Sequence, residues 1–171
     1  MRRRALLAAA ASTPIAAVAG CADSGGPAEG GTPTDTEAPC TRDREAPPDP
    51  GAKIEQRALP ARPDEWTRDS VESYLREYEA AYRQRRILTA DTTAYGHSES
   101  VEAIRTVEDG YRVELQTNFY DEEETDRGTV HADSPRYTVL YRVKTDRLLR
   151  AESDRHDVDP ELDDAATMEC W

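Results

Sequence analysis

Only a few side chains in this sequence have types and spacings that could do chemistry. They are three cysteines (Cys21, Cys40, Cys170), three histidines (His97, His131, His156) and an acidic run, Asp121-Glu122-Glu123-Glu124 with Asp126. A thiol can accept an acyl or lipid group, pair with a second thiol, or ligate a soft metal. Zinc sites use paired His or Cys-x-x-Cys, and the histidines here are far apart with no such pair. A copper loop places His and Met after its Cys, but only Trp171 follows Cys170 and Met168 precedes it. The acidic run could hold a hard cation. It lacks the turn glycine and distal glutamate of an EF-hand, so a solvated acidic loop is the expectation. No Gly-x-Ser-x-Gly elbow and no phosphate-cradling glycine loop occurs. Neither a catalytic residue, a metal nor a cofactor is expected.

The elements that must carry these residues follow from patterning. In the 171 residues, 1–20 hold Arg2, Arg3 and Arg4 and then no further charge. A charged start, a short apolar core and small residues at its end mark a secretory signal, too short to span a membrane. Residues 21–63 are rich in Gly, Pro and acid and repeat no apolar period, so they are expected as a flexible linker, with a weak strand signal around Ile54 and Leu59. Residues 64–171 are expected as one domain. Within it Val71, Tyr74, Leu75, Tyr78, Ala81 and Tyr82 follow one helical face from Trp66 to Leu88, with Thr67 as N-cap. Glu72/Arg76 and Glu79/Arg83 are expected as i,i+4 pairs on the wet side. Tyr111, Val113, Leu115, Thr117 and Phe119 alternate as a half-buried strand, hairpinned to Val101–Val107. A three-residue turn pairing Val107 with Tyr111 and Ala103 with Leu115 is preferred because it gathers Val101, Ala103 and Val107. It also puts Arg105 on the apolar face, for which there is no account. Val130–Ala132, Arg136–Lys144 and Arg147–Ser153 complete the strands, and Ala165–Trp171 is expected as a tail. The class is α+β: one amphipathic helix on an antiparallel meander of about four strands.

Residues 21–171 carry 35 acidic against 19 basic residues, a net charge of −16. Such a surface repels phosphate backbones, so nucleic acid is excluded as a partner. Only Lys53 and Lys144 are lysines and Phe119 is the one phenylalanine. This composition resembles that of haloarchaeal proteins, whose carboxylate shells stay hydrated in concentrated salt.

Val18-Ala19-Gly20-Cys21 resembles the lipobox of prokaryotic lipoproteins, in which peptidase cuts before the Cys and its thiol carries lipid. Arg3-Arg4-Ala5-Leu6-Leu7 resembles a twin-arginine export signal. Together they imply a protein held by membrane lipid through Cys21 on the outer face of the cytoplasmic membrane. With Cys21 so assigned, Cys40 and Cys170 remain, and an oxidising compartment favours one disulfide between them over two free thiols. The element order is similar to cystatin-like or NTF2-like wraps, and the helix is similar to one in uncharacterised haloarchaeal lipoproteins; fold analogy lends no function. Gln116-Thr117-Asn118 departs from the Gln-x-Val-x-Gly hairpin of cystatin inhibitors. The expectation is a non-enzymatic binding or structural module for a cell-surface protein or small ligand. The alternative is an NTF2-like enzyme or ligand cup using Tyr78, Tyr82, His97 and the strand tyrosines.

Overall fold

Helix α1 runs Arg68–Ile87 and starts where its cap dictates. Thr67 accepts from the Ser70 amide at 3.1 Å while Ser70 Oγ accepts from the Thr67 amide at 2.8 Å, a reciprocal cap with Ser in the place of the usual Glu. The computed structural model describes residues 39–43, 50–153 and 162–171, all within one compact unit, Ala38–Trp171. Val71, Tyr74, Leu75, Tyr78 and Tyr82 form the buried face of α1, as their spacing predicts.

Six strands make one antiparallel sheet: β1 Thr92–Val107, β2 Gly110–Thr125, β3 Gly128–Asp133, β4 Tyr137–Lys144, β5 Arg147–Ser153 and β6 Ala166–Cys170. Their order is β1-β2-β4-β5-β6, with β3 pairing the far half of β2. The sheet presses Val113, Leu115, Val139, Tyr141, Val143, Leu148 and Met168 into one core with the helix.

The β1–β2 turn corrects the expected register. Val107 pairs with Gly110, which leaves Glu108-Asp109 as a two-residue loop and sets Ile104 opposite Val113. Gly110 has φ 141°, and a Cβ there would lie 2.0 Å from the Val143 carbonyl oxygen, so only glycine fits. A one-residue slip exchanges the faces of a strand. Ile104 is therefore buried, and Arg105, which had no account on the apolar side, is exposed. A register shift between Val101 and Ala103 then returns Val101 to a place opposite Leu115.

The acidic run is also corrected: it is strand, not loop. Asp121–Glu124 continue β2 between β1 and β3. Asp and Glu disfavour strands intrinsically, but donors meet several of these carboxylates. Lys53 pairs with Glu124, Thr89 Oγ1 donates to Glu123 at 2.7 Å, and His131 meets Glu122 at 3.3 Å. The Tyr120 ring lies over Gly96, where an added Cβ would overlap it at 2.0 Å.

The docked region begins earlier than residue 64. Gln84 accepts from the Arg57 amide at 2.7 Å and donates to the Glu55 carbonyl at 3.3 Å, while Leu59 packs on the core. Residues 53–62 form no strand. The expected C-terminal tail is likewise β6, and Trp171 is pinned by its Nε1–H to the Lys144 carbonyl at 3.2 Å.

Candidate functional site

The largest departure from the expected chemistry lies under the C-terminal half of α1. Glu79 and Arg83, expected on the wet side, face inward; Glu79 is fully buried. Its carboxylate takes a two-pronged contact from Arg150 of β5, with Nε and Nη2 at 2.9 and 2.8 Å. Tyr141 donates to it at 2.6 Å and Tyr137 at 3.4 Å. Glu152 accepts from Arg150 at 2.7 Å and from Arg83 at 2.5 Å. Two acids and two arginines therefore neutralise one another. The guanidinium carbons of Arg83 and Arg150 also sit 4.5 and 4.7 Å from the ring centres of Tyr137 and Tyr82, which is a favourable stacking geometry.

This cluster holds charge rather than moving it. Burial pushes the Glu79 carboxyl up, but Arg150, Arg83 and the Tyr141 hydroxyl outweigh that and hold it below the ordinary carboxylate range. Both its oxygens are occupied by donors. A general base needs a proton-accepting face open to substrate, and Glu79 presents none.

Beside the helix a polar groove of about 650 Å³ is lined by Arg57, Asp69, Glu72, Arg76, His97 and Glu99, among others. His97 was a candidate, and its surroundings resemble a charge-relay arrangement: Glu99 lies 3.1 Å from Nδ1 and Thr117 Oγ1 lies 2.7 Å from Nε2. Such arrangements are judged by geometry and roles. Thr117 is 1% exposed and its hydroxyl also donates to the Ser98 carbonyl, so no substrate can reach it as a nucleophile. Burial pushes the His97 imidazole down, against the opposing pull of Glu79 and Glu99. Glu99 at Nδ1 and Thr117 at Nε2 fix the orientation of the ring and tie β1 to β2. Among the described residues, no group of three or more His, Cys, Asp or Glu is arranged to hold a metal.

The other predicted residues fall as follows. Cys40 and Cys170 are joined, with Cα atoms 5.8 Å apart. Tyr78 and Tyr82 stack at 6.4 Å inside the core, and Tyr78 meets Tyr141 edge-on. Where an NTF2-like cup would place its ligand, between helix and sheet, these rings fill the space. Arg3, Arg4, Val18, Ala19, Gly20 and Cys21 lie outside the described residues. The sequence reading missed Glu79, Arg150 and Glu152. A signal existed, because Glu79 stands four residues after Leu75 on the apolar stripe and Arg150 two after buried Leu148.

Burial raises the phenols of Tyr74, Tyr78, Tyr95, Tyr137 and Tyr141 above their ordinary range. Unfolded phenols titrate near 10. The stability tied to these groups is thus complete below about pH 10 and is lost as pH rises beyond it. We expect five of the eight tyrosines to ionise only as helical circular dichroism is lost. Ionisation of all eight with the fold intact would contradict this.

Comparison with protein-family models, curated proteins and solved structures finds no match for the chain.

Proposed function

We propose that this chain is a lipid-anchored lipoprotein, exported by the twin-arginine route and held through Cys21 on the outer face of the cytoplasmic membrane. There its domain is a non-enzymatic binding or structural module. Its acidic composition suits a haloarchaeal cell surface, and its helix-on-sheet order keeps the cystatin-like or NTF2-like analogy at the level of fold. The observation that carries this reading is how the segment following the tether joins the domain. Cys40 is bonded to Cys170, Arg42 pairs with Glu169 at 2.8 Å, and the Asp43 amide and carboxylate bracket Thr167 at 2.9 and 2.6 Å. A disulfide suits an oxidising compartment, and a clamp at the entry point suits a domain carried on an N-terminal leash. Among the described residues no helix is long and apolar enough to cross a membrane. The ligand-cup alternative would have to use the open groove beside His97.

Cys21→Ser should move the protein from the membrane fraction to the soluble fraction. The intact mass of the membrane-extracted protein should equal residues 21–171 plus lipid, less two hydrogens. Unchanged membrane retention of the variant, or an unprocessed chain starting at Met1, would refute the anchor.

A further inference from the structure

On the sheet face turned away from the helix, three arginines stand directly opposite one another. Arg105 of β1 pairs with Arg112 of β2, and Arg112 pairs with Arg142 of β4. Directly opposed residues of antiparallel strands share a face, and like charges placed so are unfavourable. The arrangement stands out in a chain with a net charge of −13. Arg142 and Lys144 share one carboxylate, Asp109. Arg105 and Arg112 are exposed and make no ion pair among the described residues. They border a shallow recess of about 80 Å³ whose other walls are Ala103 and Glu114. Glu114 brings one negative charge and makes no ion pair with either arginine. The local balance is four cations against two carboxylates.

We propose that this arginine ladder is a binding site for a phosphate-type oxyanion, either a free phosphate or the phosphodiester of a lipid headgroup. Adjacent guanidinium groups offer parallel N–H donors that match such oxygens, and they are more weakly hydrated than lysine. An anion bound between Arg105 and Arg112 would relieve the repulsion that the register imposes. The site does not depend on the anchor at Cys21.

The full chain would be titrated by calorimetry with inorganic phosphate and, separately, with glycerophosphoglycerol, a soluble phosphodiester headgroup, in salt that keeps the fold intact. Saturable binding is expected. In the variant Arg105→Gln/Arg112→Gln it should weaken at least tenfold, while Arg127→Gln, an exposed arginine in the β2–β3 turn, should bind as the parent does. Tighter binding of phosphate would assign a free anion, and tighter binding of the diester would assign a headgroup. The double variant should unfold at the same or higher denaturant concentration, since like charges have been removed; the arginines of a purely structural ladder would leave it less stable. Absence of saturable binding to either probe, unchanged binding by the double variant, or equal loss in Arg127→Gln would overturn the proposal.

Discussion

Glu79→Ala should be the most damaging single substitution in the domain, costing about 3–5 kcal/mol in urea unfolding. The change leaves Arg150, 98% buried in its side chain, without its main counter-charge. It also leaves the Tyr141 hydroxyl without its acceptor. Arg150→Ala should cost a similar amount by stranding the carboxylate. Glu79→Leu combined with Arg150→Met should recover much of the loss, because the penalty comes from an unpaired buried charge rather than from loss of the pair itself. Additive losses in the double variant would show instead that the cluster is itself strongly stabilising. The same cluster sets the acid limb. Glu79 and Glu152 are held below their ordinary range by the two arginines, although burial pushes both up. Their contribution is therefore present above the unfolded-state carboxylate value of about 4.3 and is lost as pH falls through the lower folded one. His97, pushed down by burial, acts earlier. The unfolded chain takes up its proton near 6.5 while the folded chain does not, so stability declines as pH falls below that point.

Cys40→Ser with Cys170→Ser should lower stability by up to about 5 kcal/mol, on the chain-entropy model for a closed loop of this length. The loop spans 130 residues of sequence, so the unfolded chain gains most of its freedom when the bond is absent. The native contacts around it supply only part of the replacement. Arg42 and Glu169 form an exposed-to-half-buried pair, and such pairs add little. Reduction of the parent should shift the urea midpoint as the double serine variant does. A midpoint unmoved by reduction would mean that the segment around Asp43 docks unaided.

What the sequence made legible was whatever one periodicity controls. The stripe from Val71 to Tyr82 specified α1, and the segment expected as strand after the Thr145-Asp146 turn, Arg147–Ser153, is β5 to the residue. The sheet has six strands where a meander of about four is expected; β6 has no expected segment because it is held by a disulfide and by β5 rather than by its own pattern. The acidic end of β2 reads as solvated loop because propensity is local, whereas Lys53, Thr89 and His131 reach it from other segments. Register failed by one residue at Gly110, where counting apolar positions could not reveal the shift near Glu102. Glu79/Arg83 fits the i,i+4 rule and so predicts a surface pair; the main partner of Glu79, Arg150, is 71 residues away.

The bond between Cys40 and Cys170 closes nearly the whole domain into a covalent ring. A protease that cuts once anywhere between those residues releases nothing, since the disulfide keeps both fragments joined. Under the proposed anchor at Cys21, shedding then requires a cut before Cys40, two cuts inside the ring, or one cut together with a reductant.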